Sequence, residues 1–522
     1  WQLAADMAEP HWLAASYLAV IPALVLCAVY AFIVSWIARR RQAASDSGSA
    51  DDFITARRSI GMWLLAFSFY AGAMGSWAVT APASYAASAG LLGLAVYSLA
   101  AGGPLIAVAH VGSLARAADP NASSLPDFLR RRFGGRSACC SGQAGSGPLV
   151  EGRSSWKGVC IAALASLMVL FNMVIALLAE YSTLGTLFRA YVGAAEPWSL
   201  LPTLILALLT MGYTVAGGLY VSVLTDRLQA LVSLALVLFL VAYLRDFQAP
   251  AGGLPPLSAE QAGWSYAGLS SALTMPLSLL ASTMFSEAVW QRVWAAEDDR
   301  TLRGAAWLGA GAVSLVVFFF GFCGFLALWA GRAAAGTTDA NLYFFALLSD
   351  TPGAQLENTP GLLALVCAAV MSEGAVDSLQ NGVAATLSST LLRGRPLWAT
   401  RALVLAVNLP LAMLGASPAT ASVLQLFLAA NLAVVCCALP VLAALARGER
   451  ARRLVTEQAV LLGCACGALG LSAYGCLREG SLAAGLRMAW MDNGYGYDYF
   501  LAPLASSALG LAAGCACCAR AR

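Results

Sequence analysis

The stretch Ala71-Gly72-Ala73-Met74-Gly75-Ser76 lies in the middle of a long apolar segment near residues 60–88. Glycine weakens a helix because it loses the most conformational freedom on folding. Two interpretations of the stretch are open. The helix is interrupted there, so that unwound backbone exposes carbonyl and N–H groups to an ion or a polar solute. Alternatively, the small residues allow close packing of neighbouring helices.

A second apolar segment, near residues 268–294, carries a similar signal. Pro276 removes a backbone donor, and a group of Ser and Thr hydroxyls follows it. Interrupted helices at corresponding positions of two halves are the best sequence indication of a transporter's central site. The two segments therefore predict two discontinuous helices. The residues predicted to border the solute cavity are Ser76, Trp77, Ser282, Thr283 and Ser286.

The composition is that of a membrane protein. Hydrophobic residues make up 60% of the 522 residues and charged residues 11%, whereas soluble proteins have about 25% charged residues. The net charge of +3 gives no basic field for nucleic acid. There are two histidines, and we find no nucleophile–base pair or cofactor motif. We expect the protein to contact membrane lipid and not to be an enzyme. We expect no cofactor other than a coupling ion.

Apolar runs of about 20 residues, the length that crosses a bilayer, occur about thirteen times. They predict an all-α polytopic protein, with spans near 15–37, 60–88, 91–115, 157–188, 197–216, 222–244, 268–294, 305–331, 361–392, 398–415, 420–446, 456–476 and 500–518. Alternate loops are rich in arginine, namely 39–58, 130–136, 292–303, 393–395, 447–453 and 520–522. By the positive-inside rule these loops are cytoplasmic, which places the N-terminus outside and the C-terminus in the cytoplasm.

Charged side chains inside spans are costly and mark cavities, pairs or pathways. The candidates are Glu180, Asp226, Glu287, Glu373 and Asp377. Asp226 and Glu287 lie near predicted cytoplasmic ends, where Arg227 and Arg292 are candidate partners. Ion pairs that only stabilise the structure are one interpretation there. A cytoplasmic gate at Asp226 is the other.

Glu373 and Asp377 stand four residues apart. Ala369 and Asn381 continue the same i, i+4 row, so these residues share one face of a helix. An acidic face of this kind is not expected to face lipid. We predict that Asp377 and Asn381 take part in proton transfer or support the cation site.

Several motifs resemble those of the sodium:solute symporter family. Ser124–Gly134 is similar to its Leu-Pro-acid…Arg-Phe-Gly signature, and Gly217–Gln229 is similar to its Gly-Gly turn followed by Thr-Asp-x-x-Gln. Gln291–Ala296 is similar to its Gln-Arg-x-x-Ala-Ala sequence. The resemblance covers roughly residues 15–450, with the motifs in the family's order.

The resemblance implies a five-plus-five inverted-repeat core. Its first repeat would be 60–244 and its second 268–446, with an extra N-terminal helix at 15–37 and two additional helices at 456–518. It also implies a sodium ion between the first and eighth core helices. Position by position, the sodium site falls on Ala71, Met74, Ala369, Ser372 and Glu373.

Glu373 departs from the family, which usually has Ser or Thr at this position. A carboxylate is a hard oxygen ligand for sodium but can also carry a proton, so either coupling ion is expected. The sugar-contacting positions lack the amide and aromatic groups of the sugar carriers, which argues against a sugar. Asp377–Asn381 resembles eighth-helix sequences of fungal relatives, and the family's urea/proton branch is the most similar other group.

These observations predict a secondary active transporter that couples sodium or proton entry to uptake of a small polar solute such as urea. The family's usual location is the plasma membrane. A passive channel or facilitator is one alternative, and it would need no cation site. A solute sensor on a transporter scaffold is another.

Overall fold

The computed structural model describes residues 10–43, 56–134, 156–245, 247, 253–334, 336–349, 353–390, 397–417, 423–446, 449–492 and 496–520. Within these ranges the chain is all-α, apart from one isolated parallel bridge between Ile60 and Ala296. The arginine-rich segments 393–395, 447–448 and 521–522 lie outside the described residues. The orientation of the chain in the membrane stays a prediction.

The described residues form eighteen α-helices. The first nine are α1 (Pro10–Ala43), α2 (Met62–Ala73), α3 (Trp77–Ala118), α4 (Leu125–Gly134), α5 (Trp156–Thr186), α6 (Leu201–Leu244), α7 (Ala259–Ala262), α8 (Tyr266–Met284) and α9 (Glu287–Ala295). The others are α10 (Asp299–Trp329), α11 (Tyr343–Leu348), α12 (Thr359–Thr390), α13 (Leu397–Ala416), α14 (Val423–Ala444), α15 (Glu449–Leu454), α16 (Glu457–Glu479), α17 (Leu482–Arg487) and α18 (Tyr497–Arg520).

The membrane-spanning helices agree with the hydropathy analysis. Ten helices in the described residues are long and apolar enough to cross a membrane, and three shorter apolar helices accompany them. They coincide with the predicted spans, except that the stretch 60–88 covers both α2 and the first half of α3, and the stretch 268–294 continues from α8 into α9. The prediction of an all-α polytopic membrane protein is confirmed.

Two helices contain a sharp kink where the sequence predicts a boundary between spans. Gly90 in α3 has φ +67°, and Gly218 in α6 has φ +65°. This left-handed backbone suits glycine, since a side chain there would be strained. A Cβ at Gly90 would also lie 2.6 Å from the backbone N of Gly263. Each kink lets two spans follow one another without a loop.

Two helices are discontinuous, as the sequence predicts. The first break separates α2 from α3 at residues 74–76, and the second separates α8 from α9 at residues 285–286. Pro276 lies inside α8 rather than at the break, since local repacking can accommodate a proline within a spanning helix. The proposed repeat bounds, 60–244 and 268–446, stay predictions.

Helix α12 lies at the centre of the molecule. In its most apolar window 83% of the residues are buried, against 28–50% in the other long spans. Helices α5, α6 and α1 pack around it, together with α2 and α9 beside the two breaks. Polar side chains on α12 therefore point at protein rather than lipid.

Candidate functional site

The first break exposes the end of α2 inside the protein. Met74 is extended (φ −99°, ψ 109°), although its N–H still donates to the carbonyl of Tyr70 at 2.9 Å. Ser76 is the N-cap residue, directly before α3, and its side chain is fully buried. The helix is therefore interrupted at the glycine-rich stretch, as the first interpretation of the sequence predicts.

Glu180 on α5 caps the start of α3. Its Oε2 accepts hydrogen bonds from Ser76 N at 2.9 Å, from Ser76 Oγ at 2.8 Å and from Ser372 Oγ at 2.9 Å. A carboxylate at a helix N-terminus is favoured by the helix dipole. Its Oε1 lies so close to Gly75 that a Cβ there would overlap it. Gly75 is therefore required for this contact.

The second break is capped by a residue to which the sequence analysis gave no role. Asn172 on α5 donates from Nδ2 to the carbonyl of Ser282 at 3.0 Å and to that of Phe285 at 3.4 Å. Its Oδ1 accepts from Ser282 Oγ at 3.0 Å. These bonds attach α5 to the last turn of α8, where the Ser282 carbonyl also accepts from Phe285 N at 3.1 Å. A lone amide in an apolar run was the available sequence signal.

The residues predicted to border the solute cavity flank both breaks. Ser76 is fully buried, whereas Trp77, Ser282, Thr283 and Ser286 are half-buried. Thr283 Oγ1 donates to the carbonyl of Leu279 at 2.7 Å. The breaks thus keep some polar and aromatic surface accessible in the middle of the spans.

Trp77 belongs to an aromatic group beside the first break. Its ring stacks on Tyr97 with centroids 6.3 Å apart, and Phe427 of α14 meets it edge-on at 6.5 Å. Tyr85 contacts Tyr97 in a T-shaped pair. Aromatic faces of this kind attract cations as well as apolar groups.

The residues predicted to bind the cation contact different neighbours in the structure. Ser372 faces Glu180, as above, and the carbonyl of Ala71 lies 3.3 Å from the position that a Cβ on Gly374 would take. Glu373 is fully buried and interacts with Cys27 of α1. Neither of its carboxylate oxygens has a hydrogen-bond partner of normal geometry in the described residues. Ala369, one turn before it, is also fully buried.

Asp377 and Asn381 come together as the i, i+4 spacing predicts. Asn381 Nδ2 donates to Asp377 Oδ1 at 2.9 Å. Thr214 Oγ1 and Ser222 Oγ of α6 donate to the two oxygens of Asp377 at 2.6 Å each. Asp377 therefore ties α12 to both halves of α6, on either side of the Gly218 kink.

Asp226 pairs with Arg292 rather than with Arg227. Arg292 Nη2 lies 2.8 Å from Asp226 Oδ2, and both side chains are almost completely buried. Ser68 Oγ donates to the same carboxylate oxygen, while Arg292 also donates to Ser378 Oγ at 2.7 Å. This network joins α2, α6, α9 and α12 between the breaks and the arginine-rich loops.

Glu287 is the first residue of α9 and is fully buried. Its Oε2 accepts from the backbone N of Leu125, the first residue of α4, at 3.1 Å. Its Oε1 has no hydrogen-bond partner in the described part of the chain. The loop helix α4 is thereby attached to the second broken helix.

The site offers carboxylate, hydroxyl and carbonyl oxygens, which suit hard cations and ammonium groups. The described residues hold no group of three or more His, Cys, Asp or Glu side chains that could bind a metal ion. Carbonyl and hydroxyl oxygens, which most of the predicted sodium ligands would supply, are not among those side chains. The sodium site at Ala71, Met74, Ala369, Ser372 and Glu373 therefore stays a prediction.

No family model matches the sequence. The chain is similar to the spermidine transporter DUR31 of Candida albicans, with 26% identity over 377 residues, which cover 70% of this chain and 64% of that protein. The match thus spans less than two thirds of that relative's length.

Among solved structures, the chain is similar to the substrate-bound, outward-open state of a Na+-coupled sialic acid symporter. The TM-score is 0.68 at 15% identity, over 96% of this chain and 97% of that one. The inward-facing structure of Mhp1 gives a TM-score of 0.45 at 16% identity, over 90% and 92% of the two chains.

The chain is a multi-pass membrane protein with the fold of a five-plus-five secondary transporter. The discontinuous helices and the match to the sialic acid symporter over nearly the whole chain establish this fold. The compared proteins are transporters, in agreement with the prediction that the chain is not an enzyme. Neither comparison supports urea as the solute.

Proposed function

We propose that the protein is a cation-coupled symporter of a small cationic amine. The charge balance around the breaks and along α12 carries the proposal. Among the described residues five carboxyl groups are buried there, and the Arg292 guanidinium pairs with one of them; they belong to Glu180, Asp226, Glu287, Glu373 and Asp377. The other buried arginine, Arg116, bonds the Val293 carbonyl and lies 3.9 Å from Asp299. Isolated charges are costly in a low-dielectric interior. Cations that enter with the solute, or as the solute, would balance them.

The first break is the proposed place for an ammonium group. The three hydrogen bonds to Glu180 all go to Oε2, which leaves Oε1 to a ligand. Trp77 follows the break directly and offers an aromatic face. The C-terminal end of α2 adds the partial negative charge of its carbonyls. All three features favour a cation over a neutral amide such as urea.

The similarity to DUR31 supports the same class of solute. That protein is named a spermidine transporter, and spermidine is a linear amine that is positively charged at neutral pH. The similarity is moderate and covers part of that protein, so the solute of this chain is our proposal.

For coupling, we propose that the cation frame of Ala71, Met74, Ala369, Ser372 and Glu373 holds sodium or a proton. Asp377 and Asn381 would support that frame from the side of α6. The Asp226–Arg292 pair would close the path toward the arginine-rich face, which we place in the cytoplasm. We expect the protein in the plasma membrane with its N-terminus outside.

The test is uptake of labelled spermidine and labelled urea into proteoliposomes that contain the purified full chain. A cationic solute accumulates under a membrane potential alone, by about 2.3 kcal/mol per charge at 100 mV. The potential is therefore clamped at zero with potassium and valinomycin, and sodium and pH gradients are imposed separately. We expect gradient-driven accumulation of spermidine and none of urea.

Glu180→Gln should abolish this uptake, whereas Glu479→Gln, which changes an exposed carboxylate at the end of α16, should leave it intact. Accumulation of urea without spermidine would reject the amine. Spermidine equilibration that ignores both gradients would identify a facilitator instead of a symporter.

A further inference from the structure

Each break carries its own buried carboxylate. The carboxylate of Glu180, a residue of α5, lies at the start of α3, the half-helix after the first break. Glu287 is the first residue of α9, the half-helix after the second break. Both are nine-tenths or more buried. Each break is therefore accompanied by one buried acidic residue: Glu180 reaches the first break from α5, and Glu287 follows the second break in the chain.

Glu287 has binding capacity that the fold does not use. Leu125 N is its one hydrogen-bond donor among the described residues, and Oε1 receives none. The guanidinium on the same half-helix, Arg292, is engaged by Asp226, Ser68 and Ser378. A buried carboxylate oxygen without a donor is costly, which makes it a place for a charged donor.

Glu287 directly follows the second break in the chain, and its carboxylate reaches the start of α4 at Leu125 N. Ser286, the residue before Glu287, is half-buried and belongs to the second break. The two breaks are aligned along α5, because Asn172 of that helix caps the second and Glu180 the first. Eight residues of α-helix separate these two positions by about 12 Å. A solute that lies parallel to α5 could contact both breaks.

We propose that Glu287 is a second ammonium-binding position, so that the two breaks together recognise a linear amine with at least two separated positive charges. The inference rests on the proposed function and refines its solute from an amine to a polyamine. One ammonium binds Glu180 at the first break. The other replaces Leu125 N as the donor to Glu287 or binds its buried, unpaired Oε1. A monoamine satisfies one position and leaves the other empty.

The experiment measures binding of unlabelled amines by competition with labelled spermidine on the purified full chain. The series holds a monoamine (butylamine), diamines of increasing length (putrescine to 1,8-diaminooctane), spermidine and spermine. Wild-type affinity should rise in a step at the diamine length that spans both carboxylates. Because hydrogen bonds to charged groups contribute about 1.5–3 kcal/mol, the step should be about tenfold to a hundredfold.

Glu287→Gln should remove this step, so that long diamines and spermidine bind about as weakly as butylamine. Butylamine affinity itself should stay within about twofold of wild type, since Glu180 still binds one ammonium. A structural role for Glu287 would instead weaken every amine equally. Glu287→Asp keeps the charge and should retain the preference for long amines.

A smooth rise of wild-type affinity with length, with no step, would overturn the inference even if Glu287→Gln failed to fold. An equal loss for all amines in a folded Glu287→Gln protein would also overturn it. If wild type binds none of the amines, the proposed function has failed rather than this refinement of it.

Discussion

The buried pair Asp226–Arg292 gives a prediction whose size follows from the structure. Arg292 donates to Asp226 at 2.8 Å and also to Ser68, Ala288 and Ser378. Asp226→Asn removes the negative charge and leaves the guanidinium buried without its counter-ion. Breaking such a pair costs about 3–5 kcal/mol. Asparagine can still accept a hydrogen bond, so we expect about 3 kcal/mol, the lower end of that range.

The substitution destabilises the arrangement in which the Asp226–Arg292 network holds α2, α6, α9 and α12 together. If the pair is a gate, an open arrangement should gain about a hundredfold in population relative to the closed one. Hydrogen exchange measured by mass spectrometry would detect this change as faster exchange in α2 and α9. Exchange in α16 and α18, which lie outside the network, should stay at the wild-type rate.

A matched control breaks an exposed pair instead. Arg487 Nε and Asp492 Oδ2 are 2.7 Å apart, and their side chains are 76% and 33% exposed. Asp492→Asn should therefore change stability by less than about 1 kcal/mol. The double variant Asp226→Asn/Arg292→Gln should recover part of the lost protection, because no unpaired charge remains. Unchanged exchange in Asp226→Asn, or strictly additive effects in the double variant, would refute the gate.

Three further variants test the contacts at the breaks. Gly75→Ala should abolish spermidine uptake because its Cβ overlaps Glu180 Oε1, whereas Gly103→Ala, which meets open space, should be silent in the same uptake assay. Trp77→Ala should weaken spermidine binding by about threefold to thirtyfold, the range of a cation–π contact, in the competition assay. Asn172→Ala should lower the maximal uptake rate more than spermidine affinity, since it removes the bonds that attach α5 to the last turn of α8.

The spans were predictable because they depend on local composition. Runs of apolar residues and their interruptions by glycine are visible without tertiary structure, and they place both breaks within the correct segments. Pro276 was a misleading marker of the second break, since the helix continues for eight residues beyond it, to Met284. The actual break at 285–286 follows the Ser/Thr group that the sequence also indicates.

Partners across the fold were less accessible to sequence reasoning. For Asp226 both Arg227 and Arg292 were candidates, and only the crossing of α6 and α9 selects the arginine that is 66 residues away. Glu180 was recognised as a costly charge in a span, but its donors Ser76 and Ser372 lie 104 and 192 residues away. Contacts over such separations are set by the packing of helices, which has no local sequence signal.

Helix α5 contacts both breaks, and this arrangement matters for the mechanism. The start of α3 carries free N–H groups and partial positive charge, and α5 meets it with the carboxylate of Glu180. The end of α8 carries the partial negative charge of its last carbonyls, and α5 meets it with the amide donor of Asn172. One rigid helix thus supplies a partner of the right polarity to each break. Both contacts come from side chains of α5. A movement of α3 relative to α5 must therefore disturb the bonds of Glu180, and a movement of α8 must disturb those of Asn172. We therefore expect the two breaks to be coupled through α5 even though no bond between them is needed.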